Sequence, residues 1–189
     1  MNWAICLLAL APSAFAQAPT PAVDSPVDGH ARIAWLLDEN LGVSSELDDV
    51  LVGAAQTYLK TPKEYGTHWE GFGERIGLVT ANYALKSTME VTLGSLWGED
   101  PRYLRTARGT SMKSRVGYVI KMTLMAHNRD GRDRPAYARF IAFPASSFIS
   151  NEWTPKSQSS AGDATIRVGL GFLSRMGENA WKEFIVPRR

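Results

Sequence analysis

THWEGFGERIGLVTANYALKSTMEVTLGSLW, residues 67–97, is the stretch on which the fold turns. Thr67 followed by Glu70 is a capping-box pattern that opens a helix. Behind it, Trp69, Phe72, Ile76, Val79 and Tyr83 recur along one stripe. Leu78, Ala81, Leu85, Met89, Leu93 and Leu96 form a second. Two apolar stripes on one helix imply neighbours on two sides, so the sequence predicts a central helix over about 68–97. Gly73, Gly77 and Ala81 repeat at four-residue spacing and are expected to let another helix backbone pack close. Glycine inside a helix costs about 1 kcal/mol against alanine, which argues for such a packing reason. Gly98-Glu99-Asp100-Pro101 ends the helix, because proline cannot continue it and glycine suits a C-terminal cap.

Outward from this segment the same period recurs. Ser45 with Asp48 is a second capping box, followed by Leu47, Val50, Leu51, Ala54, Ala55 and Tyr58, which predicts an amphipathic helix over about 46–60. A short helix is expected at 32–37, another at about 113–126, and one over 136–152 kinked by Pro144. The latter repeats Tyr137, Phe140, Ile141, Ala145, Phe148 and Ile149 on its apolar side. A last helix, capped by Asp163, has a stripe from Ile166 through Leu170, Leu173 and Met176 to Ile185. Arg167, Arg175, Glu178 and Lys182 take the opposite face. Asn128-Arg129-Asp130-Gly131 is a turn signal whose flanks suit a short β-hairpin. The expected fold is all-α, a bundle of about five helices with one short hairpin.

The N-terminus reads as an address. Ala4 to Ala16 is apolar and closes on Ala14-Phe15-Ala16, a small-x-small cleavage signature. The expected organisation is a signal peptide at 1–16, a flexible Pro/Ala-rich tether at 17–29 and a single helical domain at 30–189. Met1-Asn2-Trp3 lacks the basic residue usual before such a segment. Cleavage removes Cys6, so the mature chain has no thiol for catalysis, metal binding or disulfides.

Net charge is +2, unevenly spread: residues 101–139 hold 10 basic and 2 acidic side chains, whereas 17–100 hold 5 and 13. The basic stretch either faces an anionic membrane surface or neutralises the acidic half within the fold, and the second reading is preferred. An exported chain is not expected to bind nucleic acid. Six Trp residues are many for this length. Trp69, Trp97 and Trp153 fall at helix ends, suited to core packing or to a membrane interface.

Catalytic patterns are missing. His30, His68 and His127 have no partner at metal-site spacing, and no P-loop, nucleophile elbow or dinucleotide fingerprint occurs. No catalytic residue, metal site or cofactor is therefore assigned. Glu70 and Glu74 lie one turn apart but sit in the first turns of a helix, where acidic side chains suit the macrodipole. The most specified segment is Glu99-Asp100-Pro101-Arg102-Tyr103. Glu99, Asp100, Arg102 and Tyr103 either grip a ligand or partner or lock the corner internally, the forked guanidinium being well suited to the second.

The order Thr61-Pro62-x-Glu64-Tyr65-Gly66, Trp69-x-x-Phe72-Gly73 and Glu99-Asp100-Pro101-Arg102-Tyr103 resembles a family of secreted bacterial proteins of unknown function. Ser114-Arg115-Val116-Gly117-Tyr118, Ile149-Ser150-Asn151-x-Trp153-x-Pro155 and Lys182-Glu183-Phe184 extend the resemblance over about 60–187. Members often read Tyr-Phe after the arginine, where this chain has Tyr103-Leu104. The resemblance implies export and a bacterial origin, and it carries no activity. The expectation is an envelope protein of the periplasm or outer membrane with a structural or interaction role. Its partner would be an envelope protein, an anionic membrane surface or a second copy. The alternatives are a carrier of an apolar small molecule between helices, or an enzyme using the Glu99–Tyr103 corner.

Overall fold

The structure, a computed structural model, describes residues 27–186. The segments expected to be a signal peptide (1–16) and most of a tether (17–29) lie outside the described residues. Among the described residues six α-helices run in the order α1 (Gly29–Leu41), α2 (Val43–Tyr58), α3 (Trp69–Trp97), α4 (Met112–Leu124), α5 (Tyr137–Ile149) and α6 (Ala161–Phe184). Three short strands, β1 (Glu99–Asp100), β2 (Met125–Asn128) and β3 (Asp133–Pro135), form an antiparallel sheet in the order β1-β2-β3. The mostly α-helical bundle with a small hairpin is as the sequence predicts.

α3 is the central element, packed by α1, α2 and α5, while α6 lies against α5 and α4 against α6. Asn128 to Gly131 makes the hairpin turn, Gly131 adopting a positive φ of 76°. Glu99 pairs with Asn128 and Asp100 with His127, which adds the corner to the hairpin as a third strand.

Helix starts differ from the sequence reading. α1 begins at Gly29, three residues early, because Asp28 accepts from Ala31 N at 2.7 Å. Ser45 lies inside α2 and donates to Asp38 O, and α2 starts after Gly42 without a side-chain cap. His68 rather than Thr67 is the N-cap of α3 and makes no capping bond. A reciprocal capping box does open α6, but Ser160 is the cap and Asp163 its third-position partner.

The larger correction concerns which faces point inward. On α2, Val50, Leu51 and Tyr58 are exposed, whereas Asp49 is buried and accepts from Thr80 Oγ1. On α5, Tyr137, Phe140, Ile141, Phe148 and Ile149 face out while Arg139 is buried. On α6, Ile166 and Leu173 face out, and the supposed outer face supplies buried Arg175. Ile33, Leu37 and Leu41 on α1, and Met112, Val116, Ile120 and Leu124 on α4, make exposed stripes at four-residue spacing. Among the described residues the buried set includes Arg32, Arg75, Arg139 and Arg175 together with Glu90, Glu99 and Glu183. Hydrophobic period locates these helices correctly but misassigns their inner faces, because polar partners on facing helices claim the interior.

Those partners meet between α1, α3, α5 and α6. Glu90 accepts from Arg139 Nε at 3.0 Å and from Arg175 Nη2 at 2.7 Å. Arg175 also lies 3.3 Å from Glu178 and 3.9 Å from Glu39. Arg139 donates further to the carbonyls of Met122 (3.0 Å) and Thr123 (2.7 Å) at the end of α4. Lys86, one helical turn from Glu90, has its ammonium 4.0 Å from the Tyr83 ring centroid. Three cations thus face three carboxylates in one network. Burial raises the Glu90 carboxyl, but Arg175 and Arg139 outweigh it and hold it below the ordinary range. Burial together with Glu178 holds Glu39 above that range.

Candidate functional site

The Glu99–Tyr103 corner is built where α3 ends. Gly98, with φ of 76°, caps α3 by donating to Gly94 O and turns the chain into β1. The four candidate side chains then diverge. Glu99 is buried and its two carboxylate oxygens lie 3.3 and 3.2 Å from Ala138 N, so it caps the start of α5. Burial raises its pKa against the pull of those amides. Asp100 takes Arg102 in a fork, with Nε at 3.0 and 3.2 Å and Nη2 at 2.8 Å, and also accepts from Arg102 N at 2.9 Å. That hydrogen bonding raises the Arg102 pKa.

Tyr103 points the other way and donates to Glu183 Oε2 at 3.2 Å. Glu183 on α6 also accepts from Thr106 N (3.2 Å), Thr106 Oγ1 (2.5 Å) and Arg115 Nε (2.8 Å), and its carbonyl accepts from Arg115 Nη2. Burial pushes the Glu183 carboxyl up, but the Thr106 and Arg115 hydrogen bonds outweigh it and hold it low. Burial and Glu183 raise the Tyr103 phenol. A space of only about 10 Å³ remains among Asp100, Arg102, Tyr103, Arg139 and Asn179, too little for a substrate. Each corner side chain is engaged by the fold.

Among the described residues the Gly73, Gly77 and Ala81 ridge has no packing partner. All three are exposed, and a Cβ added at Gly73 or Gly77 would meet nothing within 4 Å. Close helix packing inside the fold falls instead at Gly171, where a Cβ would lie 3.0 Å from Phe143.

Sequence reading missed a relay across the hairpin. Tyr118 Oη lies 2.9 Å from His127 Nε2, and His127 Nδ1 lies 2.6 Å from Asp133 Oδ1. Lys121 reaches the other Asp133 oxygen at 2.5 Å. Burial, with Asp133 and Glu183 nearby, pushes the Tyr118 phenol up to about 12, making it a weaker acid than free tyrosine. The arrangement clamps α4 to the hairpin. Its signal was the near-symmetric placement of His127 and Asp133 about the Asn-Arg-Asp-Gly turn.

An open cleft of about 570 Å³ lies between the end of α2 and the start of α3, lined by Ala54, Thr57, Tyr58, His68, Trp69 and Phe72 among others. It is not the internal cavity that carriage between helices requires. Among the described residues, no group of three or more His, Cys, Asp or Glu is placed to hold a metal ion. Comparison with protein-family models, curated proteins and solved structures finds no match.

Proposed function

We propose that this chain is a non-catalytic, exported envelope protein whose helical domain seats in a membrane surface with its apolar helix faces against lipid. The observation that carries this reading is the inverted polarity: Glu90, Arg139 and Arg175 inside, and the α1, α4 and α5 stripes outside. In water, each large apolar side chain left exposed forgoes about 1.5–3 kcal/mol of transfer free energy. Against lipid that loss vanishes, and charged groups are then best placed facing one another in the bundle interior. Among the described residues no helix is long and apolar enough to cross a membrane, so the seating is interfacial. Exposed Trp69, Trp97 and Trp153 suit that depth.

Fractionation of the native host tests this. The protein is expected in an envelope fraction that resists a high-salt wash and yields to detergent. Recovery as a soluble protein after the salt wash, or without it, would overturn the membrane seating. The outward Gly73, Gly77 and Ala81 ridge favours a second reading, pairing of two copies along α3. Disulfide capture through Gly77→Cys is expected to trap such a dimer in membranes, and a purely monomeric product would rule it out.

A further inference from the structure

Among the described residues two arginines are buried with no carboxylate within ion-pair distance, and the fold treats them differently. Arg75 is fully buried and donates to the carbonyls of Thr61 (2.7 Å), Pro62 (2.9 Å) and Gly71 (2.8 Å). Arg32 is 5% exposed, yet neither of its terminal amino groups has a hydrogen-bond partner. An orphaned buried guanidinium is costly, and native folds rarely leave one without an acceptor.

Among the described residues, no group accepts from the terminal nitrogens of Arg32. A Cβ added at Gly94 would lie 3.5 Å from Arg32 Nη1 and 3.5 Å from Glu99 O. At Gly98, one helical turn or about 5.4 Å further on, a Cβ would meet the Arg129 side chain at 3.3 Å. Two glycines on one ridge therefore let two arginines lie against the last turn of α3. On this last turn Gly94 O accepts from Gly98 N, Trp97 O from Asn128 Nδ2 and Gly98 O from Arg129 N. Arg102 occupies Asp100, and Glu99 faces the α5 amide of Ala138. Burial lowers the Arg32 pKa; Asp100 and Glu99 attract its charge, while Arg129 and Arg102 repel it. Three guanidinium groups thus surround this helix end with two carboxylates already engaged.

We propose that Arg32 and Arg129, set over Gly94 and Gly98, form a binding site for a phosphate oxyanion. Forked N–H donors match the oxygens of a phosphate, and one such group spans donors about a helical turn apart. Leu96 and Trp97 beside the site are exposed, so the phosphate comes either from a lipid headgroup or from a soluble phosphate compound. The site rests on Arg32's unmet donors and stands apart from the membrane seating.

The test uses the purified full chain with inorganic phosphate in one arm and vesicles in the other. Against chloride at matched ionic strength, phosphate at a hundredfold excess over its dissociation constant is expected to raise the unfolding midpoint by about 5 °C. Flotation is compared between phosphatidylcholine vesicles and the same vesicles with added phosphatidic acid. Arg32→Gln and Arg129→Gln are each expected to lower the phosphate response about tenfold in affinity, one charge-assisted contact being lost. Arg129 is exposed, so its variant reports on binding even if Arg32→Gln fails to fold. A phosphate response without a phosphatidic-acid preference assigns a soluble ligand; a preference abolished by Arg129→Gln assigns a headgroup. Wild type and Arg129→Gln responding alike in both arms, or not at all, overturns the site. Binding to pure phosphatidylcholine bears only on the membrane seating.

Discussion

Glu90 on α3 and Arg175 on α6, 85 residues apart in sequence, meet at 2.7 Å with both side chains only 3% exposed. Around that contact the bundle interior is ionic. Replacing Glu90 by Gln leaves Arg139 and Arg175 facing each other without their shared carboxylate. Breaking a buried pair in this way costs about 3–5 kcal/mol, and a denaturant titration of E90Q is expected to show a loss of that size. A loss under about 1 kcal/mol would mean the network contributes little.

Arg75 ties the Thr61-Pro62 segment to α3 through three carbonyls. Arg75→Ala strands those acceptors, at about 1–3 kcal/mol for each one that water cannot reach. Hydrogen exchange should show the 60–66 segment and the first turns of α3 opening more readily, with the hairpin unaffected.

The corner is assigned a structural role, so its variants should act through stability. Arg102→Ala removes the fork on Asp100 and is expected to lower the unfolding midpoint, by about 1.5–3 kcal/mol as a charge-assisted contact. An Arg102→Ala protein of unchanged stability that had lost its cellular phenotype would instead make the corner a ligand site.

Glu183 sets a pH dependence. Its folded-state pKa lies below the ordinary value of about 4.3, so the folded form binds the proton less readily than the unfolded chain. The stability it contributes is fully present above that ordinary value and is lost as pH falls through the lowered folded one. Glu183→Gln should be less stable than wild type at pH 7, and the gap should narrow as the pH falls below 4. A gap independent of pH would show that Glu183 is not held ionised.

Much of the fold was legible because helix existence depends on local period. The helix expected over about 68–97 and the Asn128–Gly131 turn both formed, although the Thr67 cap did not. The orientation of the helices was not legible, because an apolar stripe marks one side of a helix without saying whether water, protein or lipid lies there. In sequence Arg175 falls on the face opposite the apolar stripe, and only tertiary approach shows Glu90 between it and Arg139. For the corner, local spacing revealed the Asp100–Arg102 fork, two residues apart. Tyr103 with Glu183, and Tyr118 with His127 and Asp133, depend on tertiary approach and left only faint traces in sequence. Arg32 gave no signal, since a missing partner is visible only in three dimensions.

The central claim is that the outward apolar faces meet lipid, and quenching of the native tryptophans tests it most directly. The purified protein is mixed with phosphatidylcholine vesicles whose acyl chains carry bromine, at high salt to suppress surface charge. Trp69, Trp97 and Trp153 are exposed and Trp35 is buried, so strong but incomplete quenching is predicted. Ile120→Glu combined with Leu37→Glu should weaken it. Tryptophan emission unchanged by the brominated vesicles, with the protein remaining soluble and monomeric, would contradict the account.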